Sequence, residues 1–142
     1  MNNKIEKNSI LIVDDNQGIS NACLRFLRKQ KYETAAVTTR TDAKEKLSLK
    51  NYDLIIIDYT MCFDMGENFI ETIKTKYPDT GFMIMSGCFS LVGKKQSLES
   101  GACHCLDKPF GINKLNNVVS AYFQSRNEQD NYKPCLISEL TG

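Results

Sequence analysis

The sequence predicts an α/β fold: a five-stranded parallel sheet, doubly wound, with five helices on its two faces. Two observations carry this. Short apolar runs alternate five times with stretches of helical period. The run DLIII at 53–57 is apolar throughout, as a strand covered on both faces must be. Such alternation gives parallel pairing with right-handed crossovers. The 142 residues amount to one ordinary domain, and 42% hydrophobic residues suffice for its core.

The first strand is SILIV at 9–13. Ile19, Ala22, Cys23, Phe26 and Leu27 then recur at helical spacing, with Arg25, Arg28 and Lys29 on the polar side. A strand at 33–37 (ETAAV) leads to a short helix near 41–49, for which Thr41 is the expected cap with Glu45 in its second turn. After the strand 53–57, a helix over 67–77 carries Phe69, Ile70, Ile73 and Tyr77 on one side, and Pro78 stops it. A strand at 82–86 (FMIMS) precedes a helix around 90–100 that Gly93 weakens. A strand at 103–106 and a helix at 112–124, striped by Ile112, Leu115, Val118, Val119 and Tyr122, complete the series. Residues 1–8 read as an N-terminal extension. Residues 125–142 lose period and gain polarity, and read as a tail or the start of a linker.

Charge and composition exclude several classes. Eighteen Lys and Arg against 17 Asp and Glu give a net +1 without blocks of one sign, so neither nucleic acid nor an anionic membrane is an expected partner of this segment. The longest apolar runs are far shorter than the roughly 20 residues of a membrane span. The N-terminus MNNKIEKNS lacks the apolar core of a secretory signal, so a cytoplasmic location is expected. Six cysteines at 23, 62, 88, 103, 105 and 135 lack framework regularity and read as reduced, small apolar residues. In Cys103-His104-Cys105, strand alternation would turn the histidine away from both thiols, which argues against zinc.

In an open parallel sheet, ligands bind beyond the carboxyl ends of the strands. Asp14 and Asp15 follow the first strand, Asp58 the third, Ser86 ends the fourth, and Asp107, Lys108 and Pro109 follow the fifth. Taken singly, each has a plain structural reading: helix cap, turn hydroxyl, solvated charge. Jointly, three carboxylates at one edge require a cation among them, and a hard divalent ion with oxygen ligands suits them. Lys108 and the Ser86 hydroxyl are suited to phosphoryl oxygens.

These residues resemble the receiver domain of two-component response regulators over about residues 9–124. The match lies in ILIVDDN at 10–16, LIIIDYTM at 54–61, Gly66 eight residues after Asp58, IMSG at 84–87 and GACHCLDKPF at 101–110. The resemblance implies a flavodoxin-like sheet of order 2-1-3-4-5 and Asp58 as phosphoacceptor. It implies Mg2+ held by Asp14, Asp15, Asp58 and the backbone carbonyl of Thr60. Ser86 and Lys108 would contact the phosphoryl group, and the Lys108–Pro109 peptide would be cis. The donor would be a sensor histidine kinase or phosphotransfer protein, and the receiver of the signal an output domain or a downstream protein. The resemblance also extends to a homodimer through the face of the fourth helix, fifth strand and fifth helix. Such a domain regulates; it catalyses only its own phosphorylation and dephosphorylation.

The chain departs from the family pattern in two places. In the family, a Ser86-type hydroxyl moves inward on phosphorylation and an aromatic three residues before the lysine follows it; here that switch position is Cys105. Cys62 replaces a proline four residues after Asp58. A smaller or different surface change on signalling is therefore expected. Thr60 and Cys88 occupy the positions that tune dephosphorylation, and neither is a carboxylate or amide that would position water. Other readings are an aspartyl-phosphate phosphatase, which would want an acid where Thr60 stands, and a flavodoxin-like cofactor binder, whose phosphate loop the acidic DDNQG would repel. A degenerate receiver serving as a phosphorylation-independent docking module is the fourth.

Overall fold

The computed structural model describes residues 8–64, 67–87 and 91–129. Gly66, Cys88 and Cys135 lie outside the described residues, as do the N-terminal residues 1–7 and residues 130–142. Five strands pair in parallel: β1 (Ser9–Val13), β2 (Glu33–Val37), β3 (Leu54–Asp58), β4 (Gly81–Ser86) and β5 (His104–Asp107). Their order in the sheet is β2-β1-β3-β4-β5. Helices α1 (Gln17–Lys29), α2 (Arg40–Leu49), α3 (Phe69–Lys76), α4 (Leu91–Glu99) and α5 (Ile112–Gln129) follow the five strands, which is the fold class expected.

The described residues up to Phe110 form one compact unit and those from Gly111 onward a second. In the second, α5 carries Leu115, Val119 and Phe123 along one side at helical spacing, and it runs five residues past the boundary expected at 124.

In the first unit, right-handed crossovers put α1 and α2 on opposite faces, because β1 to β2 steps outward and β2 to β3 steps back across β1. Side chains then alternate between two cores. Leu11, Val13, Ile55, Ile57, Phe82 and Ile84 meet Ala43 and Leu47 of α2 and Phe69, Ile70 and Ile73 of α3. The intervening Ile10, Ile12, Leu54 and Ile56 are as fully buried on the side of α1. Each such aliphatic side chain contributes about 1.5–3 kcal/mol of burial, which favours this two-sided arrangement over any register that exposes a face.

Local chemistry sets the helix ends. Asn16 caps α1, its side chain accepting from the Ile19 N–H at 3.1 Å. The helix closes with the Tyr32 N–H on the Leu27 carbonyl and the Lys31 N–H on the Arg28 carbonyl, and Lys31 takes φ 73°. Helix α4 ends the same way, with Ala102 on Ser97, Gly101 on Leu98, and Gly101 at φ 106°. At the amino edge of the sheet, the Ser9 N–H and hydroxyl both donate to Asp53 Oδ2, at 2.8 and 3.1 Å, tying β1 to β3.

Some boundaries differ from expectation. Thr39 rather than Thr41 caps α2: its hydroxyl accepts from the Asp42 N–H at 3.0 Å, and this start brings Asp42 into the first turn, where the helix dipole favours it. Helix α3 begins at Phe69 because Glu67–Asn68 is extended and pairs antiparallel with Phe63–Asp64; Asn68 then caps the helix. The third strand runs one residue later than expected, so that Asp58 is its last residue and is held by the ladder.

Candidate functional site

The carboxyl ends of β1, β3, β4 and β5 bring the charged residues together. Asp14 follows β1 and is wholly buried; Asp58 ends β3 with 6% of its surface exposed. The register Val13 to Ile57 carries them to the same level of the sheet. Asp15 is exposed, yet it offers a carboxylate oxygen within 4.8 Å of those of Asp14 and Asp58. Ser86 is buried at the end of β4, and its carbonyl accepts the Lys108 N–H at 2.7 Å, which binds the segment after β5 to the end of β4. The Lys108–Pro109 peptide is cis.

Lys108 reaches across this edge. Its Nζ lies 2.7 Å from Asp14 Oδ2 and 2.7 Å from Asp58 Oδ1. Burial works to lower its pKa, but the hydrogen bonds to Asp14 and Asp58 and the charges of both carboxylates outweigh this and raise it, so the ammonium form is held. The remaining acceptors are also engaged. Asp14 Oδ1 takes the Asn16 N–H at 2.9 Å, and the Ser20 hydroxyl donates to the Asp14 carbonyl at 3.0 Å. Asp58 Oδ2 accepts the Thr60 N–H at 3.2 Å and the Thr60 hydroxyl as well. The Cys62 thiol donates to the Asp58 carbonyl at 3.4 Å.

Three carboxylates against one ammonium leave an excess of two negative charges in a partly buried cluster. Oxygen donors of this kind suit a hard divalent cation, so the residues present fit one.

The cysteines near this edge are held protonated. Burial foremost, then the charge of Asp14, pushes the Cys23 thiol up to about 11 against a smaller opposing effect of Lys108. Burial and the neighbouring Asp58 raise that of Cys62 further. Cys105 is buried in β5 level with Ile84; burial raises its thiol, while Lys94 and a hydrogen bond with Ser97 act the other way. Protonated thiols are poor nucleophiles, which accords with their reading as apolar filler.

Residues 10–120 match the response regulator receiver domain family. The chain belongs to that family. This receiver domain is 25% identical over 130 residues to the response regulator protein PilR of Pseudomonas aeruginosa, covering 92% of this chain and 29% of PilR. It is 27% identical over 132 residues to the transcriptional regulatory protein BasR of Escherichia coli K12, covering 93% of this chain and 59% of BasR. The receiver domain thus spans less than two thirds of these relatives. Its fold is that of a CheY-like receiver domain protein from Methanospirillum hungatei, with TM-score 0.79 at 22% identity over 87% of this chain and 99% of the other.

Sequence reasoning named the acidic residues, Lys108 and Ser86 of this receiver domain, all of which meet at one edge. It did not find the Asn16 N–H on Asp14, although an Asn two residues after an Asp is a recognisable turn signal. It also missed a contact between Tyr59 and Gln96, whose hydroxyl-to-amide distance is 2.9 Å across 37 residues. No local pattern announces that pair. Among the described residues, no helix is long and apolar enough to cross a membrane.

Proposed function

We propose that this receiver domain accepts a phosphoryl group on Asp58 from a phosphohistidine of a sensor kinase or phosphotransfer protein in the cytoplasm, and passes the change to an output domain or downstream protein. The observation that carries this reading is Lys108 Nζ at 2.7 Å from both Asp14 and Asp58, with Asp15 completing the acidic cluster.

Asp14, Asp15 and Asp58, with the Thr60 carbonyl, would hold Mg2+, which supplies charge neutralisation for the transferring group. The protein's own part is positional. An Asp58 oxygen forms the new O–P bond as the P–N bond to the donor imidazole breaks and its electron pair stays on nitrogen. Lys108, kept protonated by its two carboxylates, faces the charge that develops on the phosphoryl oxygens. The Ser86 hydroxyl, at the end of the neighbouring strand, is the second donor for those oxygens. Hydrolysis later breaks the O–P bond, with water supplying the oxygen that leaves as phosphate, and returns the carboxylate. Cys105 and Ser86 form the switch pair in this reading, and Thr60 and Cys88 set the rate of hydrolysis.

Mass spectrometry after treatment with acetyl phosphate and Mg2+ tests the reading. Wild type should gain one phosphoryl mass and Asp58→Ala none. A wild type that stays unmodified overturns it.

A further inference from the structure

We propose that Tyr59 transmits the state of the Asp58 carboxylate to α4 through the hydrogen bond of its hydroxyl to Gln96. The inference rests on the phosphoacceptor reading of Asp58 and supplies a route that the thiol of Cys105 cannot.

The connection is short and continuous. Asp58 caps the 3-10 turn Tyr59–Met61: its Oδ2 accepts from both the N–H and the hydroxyl of Thr60. Tyr59 is the first residue of that turn. Its hydroxyl donates to Gln96 Oε1 at 2.9 Å, in the middle of α4. Its ring packs edge-on against Phe63, with centroids 5.6 Å apart at 60°, which fixes the direction in which the side chain points. Tyr59 is therefore held at its backbone by the turn that Asp58 caps and at its hydroxyl by α4.

A change at Asp58 must reach this turn. The cap is a hydrogen bond to an anionic carboxylate, stronger than one to a neutral acceptor. When one Asp58 oxygen becomes the bridging oxygen of an acyl phosphate, the carboxyl group loses its charge and the new charge sits on the phosphoryl oxygens. The Thr60 donors then favour a different position, and the turn carries Tyr59 with it. Since the Tyr59 ring is braced by Phe63, movement at its base alters the hydroxyl's reach to Gln96. On the opposite side of the pair, Gln96 stands one turn before the end of α4, and the N–H of Ser100, just past the helix, closes on the Gln96 carbonyl at 3.0 Å. A shift of Gln96 is thus a shift of that end of the helix.

The test uses the whole chain with Mg2+ and beryllofluoride, a phosphoryl mimic. Bound fluoride is read by fluorine NMR and amide exchange is followed along α4. Wild type should bind the mimic and change its exchange at residues 94–99 by about fivefold, the size that one neutral hydrogen bond carries. Tyr59→Phe, which removes only the hydroxyl, should still bind the mimic, with an affinity shifted by no more than about that same factor, and lose most of that change. Gln96→Ala, at an exposed helix position, should do the same, and the double variant should lose no more than either. A Tyr59→Phe protein that binds the mimic and keeps the full α4 response overturns the inference while leaving the phosphoacceptor reading intact. Absence of a bound signal in wild type overturns that reading, and the inference falls with it.

Discussion

Lys108 and Asp14, 94 residues apart in the chain, meet at 2.7 Å with the carboxylate wholly buried and the lysine side chain 15% exposed. This contact governs how the acidic edge tolerates its own charge. A buried carboxylate deprived of its cation is left desolvated and unpaired, which costs several kcal/mol. Lys108→Ala should therefore lower unfolding stability by about 3 kcal/mol in metal-free buffer. Millimolar Mg2+ should recover part of the loss, because a divalent ion at Asp14, Asp15 and Asp58 replaces the missing charge. Urea titrations with Mg2+ and with chelator check both statements.

Asp15→Asn should act in the opposite sense. It removes an exposed carboxylate from a cluster with an excess of two negative charges. The metal-free protein should gain up to about 1 kcal/mol, the scale of a partly exposed charge interaction, and stabilisation by Mg2+ should shrink. Thermal melts at several Mg2+ concentrations measure this.

The thiols predict an alkaline weakness. Cys23 is raised from 9.0 to about 11, and Cys62 and Cys105 are raised as well, mainly by burial. A raised native pKa means that the folded state holds its proton when the unfolded state has lost it. Stability is complete below pH 9 and falls as pH climbs from 9 through the native values, by up to about 1.4 kcal/mol per pH unit for each such thiol. Lys108 adds to the same trend only at still higher pH, since its own ordinary value is 10.5 and its shift is upward. Denaturation between pH 8 and 11 should show the slope, and Cys23→Ala should flatten it.

Lys31 holds φ 73° in the turn that ends α1, where Gly101 stands in the matching turn after α4. A left-handed residue with a side chain costs about 1–2 kcal/mol, part of which glycine returns as unfolded-chain entropy. Lys31→Gly should raise stability by about 0.5–1 kcal/mol, read as a melting temperature higher by about 2–4 °C.

Once phosphorylated, the site should hold its acyl phosphate for long periods. Thr60 uses its hydroxyl and N–H on Asp58, and no carboxylate or amide at that position or at Cys88 is placed to orient water. Loss of radiolabel with a lifetime of minutes or longer is expected; a lifetime of seconds would contradict it. Thr60→Glu or Thr60→Asn should shorten it.

Much of this was legible in the sequence because it depends on short-range chemistry. Strands such as Ile10–Val13 and Leu54–Ile57 are apolar on both faces, and that alone declares a parallel sheet and hence which edge collects Asp14, Asp58 and Lys108. Helix ends were harder. Thr39 and Thr41 are equivalent caps on propensity, and the choice between them falls to the packing of Ala43 and Leu47. The start of α3 depends on a two-residue ribbon, Phe63–Asp64 with Glu67–Asn68, too short to have a period. Contacts such as Tyr59 to Gln96 depend on where two elements come to rest, which no single segment encodes.

The tie between Ser9 and Asp53 lies at the edge of the sheet farthest from the acidic cluster, yet it bears on it. Asp14 is the fifth residue after Ser9, and Asp58 the fifth after Asp53, along two strands paired without a bulge. The sheet works as a ruler with its zero pinned at one end. A slip of one residue between β1 and β3 would shift one carboxylate by about 3.3 Å and turn it to the other side. The spacing of Asp58 from Asp14 is thus measured from the opposite margin, so Ser9→Ala and Asp53→Ala belong among the changes that can blunt the site without touching it.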